Sequence, residues 1–372
     1  MRAAPSNPLF ARLQELPAVP EGPATAYAQA RGRLLDRVDR AFRERGDLTQ
    51  LLGGNDLRLI LDNHAHHAGF IASLLRLGDF RLLADTLPWV YRTYHSRGIA
   101  YDYFPAELQA WMDAIRAELP PAEAAPILAV YRWMLERHAE VVELCQGPAS
   151  EQAPVDPAWG PVRQGLLQAL LAGDYRACSS IFETHARTWR ECEQLFMAVI
   201  YPVMVEIGLM WETGAVNVAQ EHQATATVSS LLTASYYRRP LPSPSRGRAV
   251  VTAAPGELHT LGAWMVARAL EMDGWELSFL GADTPVADLI EHLKAEPPAL
   301  LAVSAAMPES LEALRELTRR VRASPELSGA GIIAGGRILL RFPDLGLALG
   351  ADACPGDPAE AVEWARGLGE LA

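Results

Sequence analysis

One loop combines residue types suited to metal chemistry. The stretch Gly256-Glu257-Leu258-His259-Thr260-Leu261-Gly262 sets a histidine between glycines, with an acid two positions before it. Imidazole is a good ligand for transition metals. Glu257 is placed to accept a hydrogen bond from the second ring nitrogen and so fix the ring. Ser304 and the pair Gly335-Gly336 each end a short apolar run. Adjacent glycines let backbone approach a flat or elongated ligand closely. The GxGxxG spacing of a dinucleotide-binding turn is absent, which argues against that cofactor class. A second set is Trp211, then nine residues, then Glu221-His222. Asn217 is a good N-cap for a helix beginning at Val218. That puts Glu221 and His222 in a first turn and Trp211 at the close of the preceding helix, so the three can share a surface.

The elements that must hold these residues follow from hydrophobic pattern. The runs RAVVTAA, ELSFL, ALLAVSA and GIIAG, between 248 and 335, read as strands. Helical patterns separate them, starting near His259, Val286 and Glu309. Strands alternating with helices predict right-handed crossovers and a doubly wound parallel sheet. Ligands of such sheets sit beyond the carboxyl ends of the strands, where the His259 loop, Ser304 and Gly335-Gly336 all fall. Residues 162–238 have the length for four short helices, broken at Gly173-Asp174 and between Gly214 and Asn217. Up to residue 146 the stripes are helical, for example Leu57, Ile60, Leu61, His64, Ala68, Ile71 and Leu75. Pro-rich stretches at 147–161 and 239–247 read as linkers. The expected organisation is a helical domain at 1–146, a four-helix bundle at 161–238 and an α/β domain at 248–372. LLRLGDFR and LLAGDYR, at 74–81 and 170–176, form a short internal echo.

Composition removes several function classes. The 372 residues carry 33 Lys plus Arg against 45 Asp plus Glu, a net charge of −12. Such a chain is a poor sequence-independent binder of nucleic acid, because phosphate affinity comes from cations. No run of eighteen apolar residues occurs, so no membrane-spanning helix is expected. The start, MRAAPSNPLF, lacks the apolar stretch of a secretory signal. Four cysteines without CxxC spacing point to a reducing cytoplasm. His64 and His67 share a helical face with no cysteine nearby in sequence, so His64, His66 and His67 read as a solvated or chromophore-facing helix rather than a zinc site.

The α/β domain resembles the cobalamin-binding domain family, whose pattern is Asp-x-His-x-x-Gly, then a serine motif, then Gly-Gly, on a flavodoxin-like sheet. Here the residues are Glu257, His259, Gly262, Ser304, Gly335 and Gly336. The resemblance implies cobalt ligation from below by His259. Two departures stand out: Glu257 where Asp is usual, and Ala305-Ala306-Met307 after Ser304 without the usual leucine. Residues 161–238 resemble the CarH-type light-sensing cap through Trp211, Glu221 and His222. That implies adenosylcobalamin, with the tryptophan on the adenosyl group and the Glu-His pair at the upper face. CarH proteins have a histidine directly after the tryptophan. This chain has Glu212, which puts a light-state bis-histidine adduct in doubt.

Block 1–146 does not resemble the MerR winged helix that precedes CarH caps, so direct DNA binding is not expected. The layout resembles the photocobilins, which add noncovalent biliverdin. Tyr94, His95, Arg97, Tyr101 and Tyr103 would supply aromatic walls and a cation for its propionates. The resemblance implies a cytoplasmic photoreceptor rather than an enzyme. Light would break the cobalt–carbon bond, shift the cap, and change a homo-oligomer or the control of an effector protein or enzyme. Two other readings stay open: a corrinoid methyl carrier for a methyltransferase system, and a cobalamin- or haem-binding regulator acting through a partner protein.

Overall fold

The computed structural model describes residues 7–147 and 156–370. Most of the expected linker at 147–161 lies outside the described residues, as do the first six residues of the MRAAPSNPLF start. The chain divides into two compact units, Met1–Cys178 with Phe196–Val228, and Ser179–Leu195 with Ser229–Ala372.

The principal helices of the N-terminal region are α1 (Glu21–Arg43), α2 (Leu57–Leu77), α3 (Arg81–His95), α4 (Tyr103–Glu118), α5 (Pro121–Glu136) and α6 (His138–Gln146). Helix α1 buries Ala24, Tyr27, Ala30, Leu34, Val38 and Phe42, a stripe of helical period, and packs on α2, α4 and α5. Helix α3 packs on α6. Helix α2 begins where the Asp56 side chain accepts from the Arg58 N–H, and ends at Gly78 in the left-handed conformation, the usual start and stop signals.

Four further helices follow as expected: α7 (Gly160–Leu171), α8 (Tyr175–His185), α9 (Trp189–Glu212) and α10 (Val218–Tyr237). Helix α9 is not short. It runs 24 residues and passes through a π-helical turn at Phe196–Ile200. Against expectation, it is long and apolar enough to cross a bilayer by length and composition alone. Its apolar content extends past Glu206 instead of forming one unbroken run. Its buried residues, Cys192, Leu195, Phe196, Val199, Ile200, Val203 and Ile207, recur three and four apart, the stripe of a packed helix.

The α/β part alternates β1 (Arg248–Ala253), α11 (Leu261–Met272), β2 (Glu276–Gly281), α12 (Val286–Ala295), β3 (Leu300–Ser304), α13 (Leu311–Ala323), β4 (Gly331–Gly335) and α14 (Pro358–Arg366). The strands form one parallel sheet in the order β2-β1-β3-β4. A single parallel bridge, Ile333 to Ala353, extends it beyond β4. One face carries Ala249, Val251, Leu300, Ala302 and Ile333 against Ala263, Ala267 and Leu270 of α11 and Ala361 and Ala365 of α14. The alternate residues Val250, Leu301 and Ile332 are buried too, and α12 packs on α13. Burial on both faces is what makes these strands continuous apolar runs. The switch in strand order falls between β1 and β3, which predicts a ligand crevice at their carboxyl ends.

Candidate functional site

At the carboxyl end of β1 the chain turns at Gly256, whose φ is +81°, and whose N–H donates to the Asp283 side chain at 2.9 Å. The next residue points inward and the histidine outward. Glu257 is 1% exposed, while the His259 side chain is 67% exposed. Glu257 Oε1 accepts from the His259 backbone N–H at 3.0 Å and from His259 Nδ1 at 2.6 Å. Its Oε2 reaches across to the loop after β3, accepting from the N–H groups of Ala306 (2.7 Å) and Met307 (2.9 Å) and from Ser310 Oγ (3.4 Å). Burial alone would raise the carboxyl's pKa. The bonds from the His259 side chain and from the backbone of His259 and Ala306 outweigh it and hold the group at about 2. An ionised carboxylate only accepts, so Nδ1 carries the hydrogen. In the neutral ring Nε2 then carries the lone pair a metal needs.

Sheet register completes the crevice. Ser304, the last residue of β3, pairs with Ala253 on one side and Gly335 on the other, so the ends of β1, β3 and β4 lie side by side. The Ser304 carbonyl accepts from Ala254 N–H at 2.8 Å. The two glycines of the pair differ. Gly336 has φ +100° and a Cβ there would overlap the Ala305 backbone, whereas at Gly335 a Cβ would make an ordinary contact with the Pro355 carbonyl. A Cβ at Gly262 would meet nothing within 4 Å. The chain's own packing therefore does not require a glycine at 262. The sequence did not reveal Asp283, Ser310 or the N–H groups of Ala306 and Met307. The one available signal was the extra methylene of Glu257, which lets one carboxylate span two loops.

The cap residues belong to the first unit. Trp211 is the penultimate residue of α9, and Asn217 starts α10 through a reciprocal cap: its Oδ1 accepts from Gln220 N–H while Gln220 Oε1 accepts from Asn217 N–H, both at 3.0 Å. Glu221 accepts from Thr225 Oγ1 at 2.9 Å. His222 is exposed, with Nε2 3.6 Å from Glu221 Oε2. The Arg97 guanidinium lies 4.5 Å over the Trp211 ring and Trp89 lies 6.4 Å from it. Glu212 is buried and paired with Arg92.

The five aromatic and basic candidates in the N-terminal region do not form one wall. His95 stacks on Tyr101 at 3.8 Å, and Arg97 is directed at Trp211 and the Thr93 carbonyl. Tyr94 is half-buried. Tyr103 is fully buried against Phe42 and accepts from Asn63 Nδ2 at 3.0 Å. Of the histidine cluster, His64 is fully buried with Nδ1 2.7 Å from Asp39, an acid supplied by α1. His67 lies 3.0 Å from the Tyr131 hydroxyl, and burial pushes its pKa down to about 3. Only His66 is solvated. Among the described residues no three His, Cys, Asp or Glu side chains gather to hold a metal, and the four cysteines are free.

A single outward imidazole with a fixed tautomer suits a metal that brings its other ligands with it. The open space at Gly262 suits a bulky one. Residues 247–364 match the B12 binding domain family, and residues 162–235 match a second B12 binding domain family. The chain is 27% identical over 261 residues to the HTH-type transcriptional repressor CarH of Myxococcus xanthus, covering 69% of this chain and 82% of that one. The chain is similar to CarH and carries two segments that match B12 binding domains. It is also 26% identical over 132 residues to trimethylamine corrinoid protein 1 of Methanosarcina acetivorans, covering 35% of this chain and 58% of that protein. Among solved structures, the Methanosarcina barkeri monomethylamine corrinoid protein superposes with a TM-score of 0.48 at 19% identity, over 56% of this chain and 99% of that one. The first matched segment contains Trp211, Glu221 and His222, and the second contains Glu257, His259, Gly262, Ser304, Gly335 and Gly336. Cobalamin binding is the function these segments support.

Proposed function

We propose that this chain is a cytoplasmic, light-responsive adenosylcobalamin sensor and not an enzyme. The observation that carries the reading is the outward His259 ring, fixed by a buried ionised Glu257, on a chain related to CarH. His259 Nε2 would hold the cobalt, with Glu257 keeping the tautomer and orientation of the ring. Ser304, Gly335 and Gly336 border the crevice that takes the nucleotide tail. Trp211, Glu221 and His222 are the residues that would contact the adenosyl group. When bound, adenosylcobalamin supplies a light-labile cobalt–carbon bond. With the adenosyl group present or absent, Trp211 would have different neighbours, which is the differential contact a two-state sensor requires. The output is a changed homo-oligomer or control of an effector protein, without direct contact to nucleic acid or membrane. Biliverdin in the N-terminal region would extend absorption to longer wavelengths. Tyr94, His95, Arg97, Tyr101 and Tyr103 are its candidate contacts, with His95, Tyr94 and Tyr101 among those that reach the surface.

The test is an absorption spectrum of the protein loaded with adenosylcobalamin, before and after green light, beside His259→Ala. Wild type should show the histidine-ligated spectrum and convert on illumination, and the variant should lack that spectrum. An unchanged variant spectrum would remove His259 as ligand. The similarity to trimethylamine corrinoid protein 1 favours a second reading, a methyl carrier. Under it the protein would bind methylcobalamin as well as adenosylcobalamin, and Trp211→Ala would weaken both alike.

A further inference from the structure

We propose that Arg92 on α3 and Arg97 in the turn that follows it are positioning residues for Trp211, so that the N-terminal region sets the preference for the group on cobalt's upper face. The inference rests on the reading of Trp211 as the residue that covers the adenosyl group. Both arginines lie outside the B12-binding segments at 162–235 and 247–364.

The end of α9 is held against α3 at several points. Arg97 sits over the Trp211 ring at 4.5 Å. Its guanidinium is itself oriented by the Thr93 carbonyl one turn back. Burial lowers the Arg97 pKa, a sign of partial desolvation, and a cation over an indole attracts more strongly when desolvated. The next residue, Glu212, pairs with Arg92, and Arg92 also donates to the Leu144 carbonyl at 3.3 Å. Both partners are largely buried. Breaking the pair would leave an uncompensated charge in the interior, which makes it a strong constraint on geometry. Ser96 Oγ donates to the Glu212 carbonyl at 2.8 Å. Gly214, at φ +74°, brings the following turn so close that a Cβ there would sit 3.2 Å from the Ser96 carbonyl.

The backbone beside Trp211 and the indole itself are therefore both fixed by α3 and the turn that follows it. A ligand that stacks on a ring already held in place avoids the cost of ordering it. A bulky adenine gains from this, and a small upper ligand such as hydroxide does not. Arg97 and Arg92 should therefore act on selectivity more than on cobalamin binding as such.

The test uses the full chain in the dark, titrated with adenosylcobalamin and with hydroxocobalamin, for Arg97→Ala, Arg97→Lys, Glu212→Gln and Trp211→Ala. Arg97→Ala should weaken adenosylcobalamin about three- to tenfold and leave hydroxocobalamin within about twofold. Arg97→Lys, which keeps the cation, should restore part of the loss. In the Trp211→Phe background Arg97→Ala should add less than it does alone, because neighbours in contact are not additive. A readout without cobalamin is near-ultraviolet circular dichroism of the apoprotein. Arg97→Ala should change it in the parent and not in the Trp211→Phe background. If Trp211→Ala is selective for adenosylcobalamin while Arg97→Ala and Glu212→Gln leave the preference intact, the inference is overturned and the reading of Trp211 survives. If Trp211→Ala weakens both cobalamins equally, the reading itself fails, and the selectivity role of the arginines with it.

Discussion

Glu107 in the N-terminal region and Glu257 in the α/β domain are both buried, at 3% and 1% exposure, yet their carboxyls are held at opposite ends of the range. Glu107 lies on α4, where helical hydrogen bonding has already used the backbone N–H groups. Only side chains remain to serve it, and its Oε1 receives Asn63 Nδ2 at 3.2 Å and Trp111 Nε1 at 3.4 Å. Desolvation prevails over those bonds and over one from Tyr103, and pushes the group up to about 7. Glu257 lies where strands end and helices begin, and such places leave N–H groups without helical partners. Three backbone donors, a hydroxyl and an imidazole converge on it. A permanently ionised group suited to orienting a metal ligand is thus found at the mouth of the sheet and not inside the helical core.

The comparison breaks first at Glu257. Its pKa of about 2 lies below the unfolded value of 4.5. It therefore contributes stability above pH 4.5, roughly 3 kcal/mol by linkage, which is lost as the pH falls toward 2. Glu257→Gln should forfeit most of this and weaken hydroxocobalamin about 10- to 100-fold, as loss of an outer partner of a metal ligand does. Denaturant melts from pH 3 to 7 and a spectroscopic titration measure the two effects. Wild-type affinity in the variant would dissociate the carboxylate from the histidine's role.

Glu107 has the opposite sign. Its pKa is raised, so its contribution is fully present below 4.5 and disappears as the pH rises through 7. Glu107→Gln keeps the shape and an acceptor for Asn63 and Trp111. It should gain about 1–2 kcal/mol relative to wild type at pH 8 and little at pH 4.5. Equal effects at both pH values would show that burial does not control this group. The smallest effect tests the same lesson at α10. Asn217 serves the Gln220 N–H at a helix start, so Asn217→Ala should cost about 1 kcal/mol, seen as a shift in the urea midpoint.

What was legible in the sequence was what neighbouring residues determine. Alternating apolar runs gave all four strands within a residue or two, and Val286 begins its helix as expected. Helices expected near His259 and Glu309 start at Leu261 and Leu311. The β1 loop must first complete the Glu257 turn, and a short 3-10 turn at Pro308–Ser310 precedes the other. The echo of LLRLGDFR and LLAGDYR is a shared helix-ending turn. Gly78 and Gly173 both take positive φ, and Asp79 and Asp174 both accept from an N–H a few residues on. Local physics suffices for that likeness. Illegible were the pairings set by tertiary approach. Asp39 meets His64 because α1 packs on α2, Ala306 and Met307 meet Glu257 because β3 lies beside β1, and Arg97 meets Trp211 because α3 packs on α9. No spacing in the chain announces contacts of that kind.

The wide turn at Phe196–Ile200 in α9 has a consequence for how the indole is aimed. Such a turn holds one residue more than regular helical winding would use, and each residue of an α-helix advances the direction of side chains by about 100°. Deleting one residue there would let the rod wind regularly and swing everything beyond it by that angle. The surplus residue sets the azimuth of the indole relative to the start of α9.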